Sequence, residues 1–425
     1  MGQRHSVASI PDINLYARKP AVALFAVIAA ILTIASTAHA QTLTVLHTFT
    51  GEPDGRYPVA GLAMDAAGNV YGTTDFGGTN DQGLVFKVAH KASGWVFTPL
   101  YSFQGGADGS NPIGGVTVGP DGNLYGAVSE GGEHGKGAVY KLTPPASFNC
   151  RTLFCPWTKT PLYQFTGGAD GAYPEGTPIF DRSGNLYGTA VSGGAANAGV
   201  VFKLTPSRNG WIDSVLYSFA GSPDGAAPFS TLTFDNNGNL YGTTTGGGPA
   251  NVGTVYELTP SGSHWTEQVL YAFNGTNDGA IPYAGVVLDP EGNLYGDTFY
   301  DGTYSGGAIF ELMPSNGNWT FSVLYSPELS GLGGPAGTLA RTSNGTLYGT
   351  LFSGGNDACS GYGCGNVFQL SPSNGGWTYT SLYVFTGGAD GGNPQGQLIL
   401  DSAGNVYGTT SGSLGGDGSV FELTP

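Results

Sequence analysis

Side chains that could do chemistry are concentrated in a few glycine-rich segments of the 425-residue chain. One such segment runs from Glu130 to Lys136 and places His134 directly after Glu133. A histidine beside a carboxylate is a pairing that acid–base catalysis or metal binding can use. Simple solvation is the alternative, because a lone loop histidine lacks the further ligands or the orienting partner that either chemistry needs. We treat Glu133 and His134 as candidate ligand-binding residues.

A second group of candidates lies further along the chain. A similar glycine-rich segment there carries Asp297, Tyr300 and Asp301, and Arg341 follows later. Carboxylates, an aromatic ring and a guanidinium are groups that can bind a polar ligand such as a saccharide. The alternative is ordinary drift in one part of the sequence, because loops vary freely. We predict a ligand site that is biased toward this region, with Arg341 closer to the opposite face than the other three residues.

The sequence contains none of the short motifs that define a catalytic centre. G-x-S-x-G, H-E-x-x-H and a phosphate-binding glycine loop are all missing, and the many glycines punctuate turns. Catalytic residues are therefore unassigned, and whether the protein is an enzyme stays open. We favour a scaffold that binds an extracellular ligand, with a glycan or another surface component as the partner. The alternatives are a structural surface protein and a polysaccharide lyase or hydrolase, for which His134, Tyr300 and Arg341 are the available residue types.

The element that must position these residues is an internal repeat. Its signature is D-x-x-G-N-[LV]-Y-G with small changes, as in the segment from Asp235 to Gly242. Asp, Asn and Gly between alternating apolar residues predict a tight β-hairpin in each copy. The tyrosines of successive copies lie 54, 62, 54, 54, 53 and 59 residues apart, at Tyr71, Tyr125, Tyr187, Tyr241, Tyr295, Tyr348 and Tyr407. A nearly constant period of this size indicates an array of one supersecondary unit.

Each period contains four strand-like runs separated by turn-rich segments. In the third repeat these runs are Gly176–Asp181, Asn185–Ala190, Val200–Leu204 and Trp211–Phe219. The last period stops after its third run, whereas a single run of the fourth type, residues 42–49, stands near the start of the chain. A ring in which residues 42–49 complete the last sheet would remove two exposed edges. We therefore predict an all-β, seven-bladed β-propeller with four-stranded blades, whose N-terminal strand closes the last blade.

The strand order sorts the connecting loops onto two faces. The links from an outer strand to the next inner strand, here called the Asp-Gly loops, share one face with the glycine-rich loops. We call this the loop-rich face and expect it to carry function, because rigid scaffolds bind through loops. Six Asp-Gly loops carry an aspartate, at Asp54, Asp108, Asp170, Asp224, Asp278 and Asp390. We expect each aspartate to form its own turn; the alternative is a cation such as calcium, which takes about 6–8 oxygens, and no other cofactor is expected.

The net charge and the N-terminal sequence limit the kinds of partner and the cellular location that we expect. The chain has 14 Lys and Arg against 30 Asp and Glu, a net charge of −16, and no basic run, so nucleic acid is not an expected partner. Residues 1–40 have the pattern of a signal peptide, with an apolar run and Ala38-His39-Ala40 as the cleavage site. We expect residues 41–425 to form one exported propeller domain, periplasmic, secreted or on the cell surface. We also expect a monomer with no membrane span after signal removal.

Four cysteines form two closely spaced pairs, Cys150 with Cys155 and Cys359 with Cys364. In an exported chain such cysteines indicate disulfides, and four cysteines allow three connectivities. We favour the two local pairs, because each pair lies inside one inserted loop. No metal site is expected at either pair, since zinc normally takes four ligands and no companion His or Cys is near.

The complete repeat carries a family resemblance. It reads L-Y-S-F…A-D-G…P…D-x-x-G-N-L-Y-G-T-T…G-G…V-F-K-L-T-P…G-W and recurs over essentially residues 43–425. This pattern resembles the GloVer tandem-repeat proteins, which are exported bacterial proteins of choice-of-anchor type. The resemblance implies a repeat scaffold and a location outside the cytoplasm, and it transfers no activity to particular residues.

Overall fold

In the part of the chain that the structure describes, the strands form seven four-stranded antiparallel sheets, which are the blades of a β-propeller, and one two-stranded ladder. The computed structural model describes residues 41–145, 157–262, 264–328, 333–412 and 415–425. Within these ranges the helical structure is a single 3-10 turn at Gly106–Asp108. No helix in this part of the chain is long and apolar enough to cross a membrane. The predicted all-β, seven-bladed fold is confirmed.

The four strands of each blade run from the channel at the centre of the ring to the outside. Blade one has Ala63–Met64, Val70–Thr74, Leu84–Lys91 and Gly94–Ser102, and blade two has Thr117–Val118, Leu124–Val128, Ala138–Thr143 and Thr158–Gln164. Blade three has Ile179–Phe180, Leu186–Ala190, Val200–Ser207 and Gly210–Ser218, and blade four has Thr233–Phe234, Leu240–Thr244, Thr254–Ser261 and His264–Ala272. Blade five has Val287–Leu288, Leu294–Thr298, Ala308–Ser315 and Asn318–Tyr325, and blade six has Ala340–Arg341, Leu347–Leu351, Asn366–Ser373 and Gly376–Val384. Blade seven has Ile399–Leu400, Val406–Thr410, Ser419–Thr424 and Thr42–Thr48. A two-residue ladder, Gly225–Ala226 with Gly246–Gly247, joins two loops of blade four.

The first strand of the domain closes the ring. Thr42–Thr48 pairs antiparallel with the third strand of blade seven, from Thr42 opposite Thr424 to Thr48 opposite Ser419. An irregularity between Val45 and His47 interrupts the register. This pairing confirms the predicted closure, and its physical reason is that a closed ring leaves no unpaired strand edge at the junction.

The inner strands are shorter than the sequence predicts. The third-repeat run expected over Gly176–Asp181 forms a strand only at Ile179–Phe180. The preceding residues hydrogen-bond between blades instead, since the Thr177 hydroxyl accepts the Gly115 N–H at 2.9 Å. A Cβ placed on Gly176 would lie 2.6 Å from the Ser230 carbonyl oxygen of the next blade. Glycine is therefore needed where the blades converge on the channel.

The repeat signature makes a self-contained turn on the face opposite the loop-rich face. Asp65 accepts hydrogen bonds from the Ala67 and Asn69 N–H groups at 2.9 Å and from the Tyr71 hydroxyl, also at 2.9 Å. Burial opposes ionisation of Asp65, but hydrogen bonds from Asn69 and Tyr71 hold its pKa below the usual value. The same bond between the signature tyrosine and its aspartate is made at Asp121, Asp181, Asp289 and Asp401.

The hydrophobic core lies in the seams between adjacent blades. At six seams a phenylalanine that follows the outer strand of one blade meets an aromatic ring on the third strand of the next, edge to face. The centroid distances are 5.0–5.4 Å in the pairs Phe49–Phe86, Phe103–Tyr140, Phe165–Phe202, Phe219–Tyr256, Phe273–Phe310 and Phe385–Phe421. Pro327 stands in place of the phenylalanine at the seam between blades five and six. The same aromatic pair therefore stabilises six of the seven seams.

Candidate functional site

One position in each Asp-Gly loop lines the channel at the centre of the ring. Each loop contains a proline, and the residue after it contributes to the wall of a cavity of about 370 Å³. Small residues follow, and a Cβ on Gly114 would lie 2.6 Å from the Glu175 carbonyl oxygen. The small residues are therefore shared by all seven loops, whereas the residue after the proline differs in type from blade to blade. These residues are Val59, Ile113, Glu175, Phe229, Tyr283, Ala336 and Gln395. We call these seven residues the channel ring.

The acidic side of the channel ring is Glu175. Burial, together with the negative charges of Asp75 and Glu130, raises its pKa to about 7. Burial also raises the pKa of Asp75, although the Asn111 amide donates to it at 3.1 Å. Glu175 can consequently carry a proton near neutral pH and can either donate or accept a hydrogen bond.

Beside the channel ring, five aromatic side chains pack edge to face, and we call them the aromatic side of the mouth. Phe299 lies at its centre, 5.6 Å from Tyr283, 4.7 Å from Tyr300 and 5.8 Å from Phe352, measured between ring centroids. Phe229 extends the chain and lies 5.5 Å from Tyr283. Tyr283 and Tyr300 are both 38 % exposed, so they present ring surface to solvent while their positions are held by packing.

The two sides meet at Tyr283. Burial, the neighbouring Tyr300 and the charge of Glu175 together raise the pKa of the Tyr283 hydroxyl. Tyr283 and Glu175 line the same cavity. The channel mouth thus combines exposed aromatic surface with carboxyl and hydroxyl groups, which are the groups that orient a polar ligand in a pocket.

Four of the residues predicted from sequence lie on the loop-rich face. Short ladders between the Asp-Gly and glycine-rich loops, such as Ala280 with Tyr300, show that both loop sets share this face. Tyr300 belongs to the aromatic side of the mouth, and Asp301 beside it is exposed. Glu133 and His134 are exposed on the glycine-rich loop of blade two, where the Glu133 N–H donates to Gln164 Oε1 at 3.2 Å.

The loop position predicted for Asp297 is wrong. Asp297 belongs to the strand Leu294–Thr298 and is only 1 % exposed. Both of its carboxyl oxygens lack a hydrogen-bond partner among the residues that the structure describes. Burial raises its pKa well above the usual value. The physical reason for the misplacement is that the second strand spans five residues in every blade, so this polar residue is inside the sheet.

Arg341 lies apart from the other candidates. It ends the inner strand of blade six and borders the opposite mouth of the channel, a cavity of about 730 Å³, together with Asp235 and Asp289 of the signature turns. Its guanidinium carbon is 6.0 Å from the Tyr295 ring centroid. Because Tyr300 is on the loop-rich face, the set of His134, Tyr300 and Arg341 considered for a lyase is not brought together.

The six aspartates of the Asp-Gly loops close their own turns, as predicted. Asp108 accepts the Tyr101 hydroxyl at 2.7 Å and the Gln104 N–H at 2.8 Å. The same arrangement recurs with the preceding tyrosine, or with His47 in the case of Asp54. Nowhere in the described ranges do three or more His, Cys, Asp or Glu side chains come together as a metal site would require.

The cysteine prediction is confirmed for one pair. Cys359 and Cys364 form a disulfide with an S–S distance of 2.04 Å in the glycine-rich loop of blade six. The predicted Cys150–Cys155 pair lies outside the described residues, as does the predicted signal peptide at residues 1–40.

Sequence reasoning missed Glu175 and Tyr283. The signal was present, because aligned copies of the repeat differ in type at the residue after the loop proline while the flanking residues stay small. The partners of Glu175 could not be recognised in the same way. Asp75 and Glu130 belong to the glycine-rich loops of two other blades, and the packing of successive blades brings the three together.

The closed ring of seven sheets defines the class of the protein as a seven-bladed β-propeller, and solved structures share this fold. One is the extracellular domain of a protein described as a one-component system from B. thetaiotaomicron, with a TM-score of 0.54 and 9 % identity, covering 88 % of this chain and 39 % of that one. Another is a GH74 enzyme from Niastella koreensis, with a TM-score of 0.52 and 16 % identity, covering 87 % of this chain and 53 % of that one. The chain thus spans about half or less of the length of these two proteins.

Within that class the chain belongs to the Gloeobacter/Verrucomicrobia repeat family, whose model matches residues 32–160 and 155–359. This agrees with the GloVer resemblance of the sequence. No curated protein is similar enough to be matched to the chain. At the identities found, the solved structures establish the fold alone.

Proposed function

We propose that this protein is an exported propeller that binds a saccharide at the channel mouth of its loop-rich face. The observation that carries the proposal is the exposed ring of Tyr283 in the same cavity as the carboxyl group of Glu175. A pyranose ring presents an apolar C–H face that can stack on an aromatic ring, and hydroxyls that bond to carboxyl groups. Tyr300, held next to this pair through Phe299, extends the stacking surface.

Export is supported by the chemistry of the chain. The Cys359–Cys364 disulfide is typical of an oxidising compartment outside the cytoplasm. The signal-peptide pattern of residues 1–40 points the same way. One of the similar propellers is itself an extracellular domain.

The charges at the mouth favour neutral or amino sugars over uronic acids. Glu175, Asp75 and Glu130 make the mouth acidic, since the negative charge of Glu130 helps to raise the pKa of both Glu175 and Asp75. The nearby Arg56 guanidinium already pairs with both carboxyl oxygens of Asp81, at 3.1 and 2.7 Å. A carboxylate on the ligand would therefore meet net negative charge in a partly dehydrated cavity.

Calorimetry with neutral, amino and uronic oligosaccharides tests this proposal. We expect neutral or amino oligosaccharides to bind and Tyr283→Ala or Tyr300→Ala to weaken binding by about tenfold or more, which corresponds to about 1.4 kcal/mol. Tyr362→Ala is the matched control, because Tyr362 is an exposed tyrosine in the disulfide loop, outside the aromatic side of the mouth. Absence of binding across the panel, or equal binding by the Tyr283→Ala and Tyr300→Ala variants, would contradict the proposal.

A second candidate function is glycoside hydrolysis, favoured by the carboxyl pKa of about 7 at Glu175. A protonated Glu175 could protonate a glycosidic oxygen while a second carboxylate, such as Asp75, accepts a proton from the attacking water. Assaying the same panel for new reducing ends separates the two functions. Product formation that disappears in Glu175→Gln supports hydrolysis, and retention without new ends supports binding alone. If the protein neither retains nor cleaves any saccharide of the panel, the structural-protein alternative remains.

A further inference from the structure

A second set of carboxyl groups lies in the seams between blades, away from the channel. One residue of each outer strand lies at the seam with the preceding blade. In blades two to four it faces the tyrosine and aspartate that close the preceding Asp-Gly loop. The strand ladders align these positions, because each residue stands opposite an apolar residue of the third strand, as Lys159 stands opposite Leu142. At four seams the position is apolar or aromatic: Leu43, Phe97, Phe321 and Tyr379.

The seam at Lys159 is balanced in charge. The Lys159 ammonium donates to Asp108 Oδ1 at 2.9 Å and to the Asp108 carbonyl oxygen. Asp108 also accepts the Tyr101 hydroxyl. Burial alone would raise the pKa of Asp108, but the bonds from Lys159 and Tyr101 hold it below its usual value. The Lys159 side chain is nearly buried, so a cation completes this seam.

The next two seams place an acid where Lys159 stands. Asp213 lies opposite Leu204 and Glu267 lies opposite Leu258 in the corresponding ladders. Asp213 faces Asp170 and the Tyr163 hydroxyl. Asp170 already accepts that hydroxyl at 3.0 Å and the Thr166 N–H at 2.7 Å, so it is satisfied as a carboxylate.

The seam at Glu267 repeats this pattern. Glu267 faces Asp224 and lies near the Tyr217 and Tyr256 hydroxyls. Asp224 accepts the Tyr217 hydroxyl at 3.0 Å and the Ala220 N–H at 2.8 Å. One oxygen each of Asp213 and Glu267 is buried without a hydrogen-bond partner in the described part of the chain. Two carboxylates in one half-buried space repel, and a proton on one of them removes the repulsion.

We propose that the propeller is built for an acidic exterior, because the half-buried Asp213 and Glu267 and the fully buried Asp297 fit their positions as neutral acids and not as carboxylates. The unpartnered buried oxygens of these residues carry the proposal, and Lys159 shows what a charge-balanced seam looks like in the same chain. The inference is independent of saccharide binding.

The expected pH dependence follows from the direction of the shifts. Burial, together with Asp170, raises the pKa of Asp213 to about 6, and burial with Asp224 raises that of Glu267 to about 7. A carboxyl whose pKa is higher in the folded protein stabilises the fold fully below its unfolded value of about 4. That stabilisation is lost as pH rises through 6 and 7. The signature-turn carboxyls with lowered pKa, such as Asp65, act in the opposite sense and weaken the fold only at lower pH.

Thermal unfolding of the mature chain between pH 5 and 8.5 tests the inference. We expect the wild-type Tm to fall over this range, and Asp213→Asn with Glu267→Gln to reduce the fall by about 2 °C or more per carboxyl. The charge-balancing pair Asp213→Lys with Glu267→Lys should also flatten the profile and provides a second route if the amide variant folds poorly. Asp357→Asn, an exposed aspartate, is the matched control and should parallel the wild type.

Three results would overturn the inference. The first is a wild-type Tm that is constant or rises from pH 5 to 8.5. The second is a profile in both seam variants that parallels the wild type. The third is a calcium-dependent rise in Tm at pH 8.5 that is present in the wild type and absent from the seam variants, because the seams would then hold a metal ion and not a proton.

Discussion

The hydroxyl of Thr409 donates a hydrogen bond of 3.2 Å to the carbonyl oxygen of Ala60, from blade seven to blade one. The equivalent bond recurs around the ring, from Thr73 to Gly114 and from Thr189 to Ser230, both at 3.1 Å. Each bond joins the second strand of one blade to the wall of the channel in the next. Blades two and five depart from this rule, because Ala127 and Asp297 stand where the threonine would be. In blade six the Thr350 hydroxyl has no hydrogen-bond partner among the described residues.

Replacing Asp297 with threonine should stabilise the protein. The variant removes a buried carboxyl without partners and restores a hydroxyl that can reach the next blade, so we expect a gain of about 1–3 kcal/mol in the free energy of unfolding at pH 7.5. The gain should be smaller at pH 5, because the protonated acid costs less to bury. Denaturant unfolding at both pH values measures it. Thr243→Asp is the reverse control and should destabilise; equal stability of Asp297→Thr and wild type would refute the expectation.

Removing residues 41–49 should open the ring. The deletion removes the strand that pairs with Ser419–Thr424, together with the buried side chains of Leu46 and Phe49. We expect a lower Tm and concentration-dependent association, because the third strand of blade seven becomes an exposed edge. Size-exclusion chromatography and thermal unfolding would detect both effects. Addition of a synthetic peptide of residues 42–49 should restore the Tm in part; an unaltered Tm and a monomeric deletion variant would argue against closure by this strand.

Ile281→Asn should stabilise the Asp-Gly loop of blade five. Ile281 has φ of 57°, a left-handed conformation that is costly for a β-branched residue. Asparagine occupies the equivalent position at Asn111 and Asn393 with φ of 54° and 55°. We expect a gain of about 0.5–1 kcal/mol in the free energy of unfolding, measured by denaturant titration. The converse change Asn111→Ile should cost more than this, because it also removes the Asn111 amide hydrogen bond to Asp75. A loss of stability in Ile281→Asn would show that side-chain packing outweighs the backbone effect.

Binding of an oligosaccharide that carries a quaternary ammonium group, whose charge does not change with pH, should tighten as pH rises through 7. Glu175 has a pKa of about 7, so it ionises in this range and gains attraction for the ligand ammonium. Calorimetry at pH 6 and pH 8 should show this increase in the wild type and a reduced increase in Glu175→Gln. Asp357→Asn serves as the control and should keep the wild-type slope. A Glu175→Gln variant with an unchanged slope would assign the pH dependence to another group.

Most of the architecture could be predicted from the sequence because every copy of the repeat carries the same pattern of turns and strands. The signature Asp-x-x-Gly-Asn turn marks each hairpin, and the unmatched run at residues 42–49 implies closure. The length of the inner strands could not be predicted in this way. Residues such as Gly176 and Thr177 have strand-like neighbours, yet their contacts are with other blades, and the ring geometry that sets those contacts is not local.

The candidate site was only partly predictable. Tyr300 and Asp301 were found because they break the repeat in an obvious loop. Glu175 was missed, since its importance comes from burial and from Asp75 and Glu130, which are distant in sequence and belong to other blades. Asp297 was misplaced because an isolated aspartate in sequence resembles a loop residue, whereas its unpartnered burial is visible only in three dimensions.

The pairing of Thr42 with Thr424 brings the two ends of the domain together at the position that Thr205 and Ile212 occupy in blade three, where six residues complete the hairpin. A short linker could therefore join these ends and make the backbone circular. New termini could then be cut at the corresponding hairpin of another blade, and every such permutant would contain the same seven sheets. Order along the polypeptide would change while the arrangement in space stayed the same.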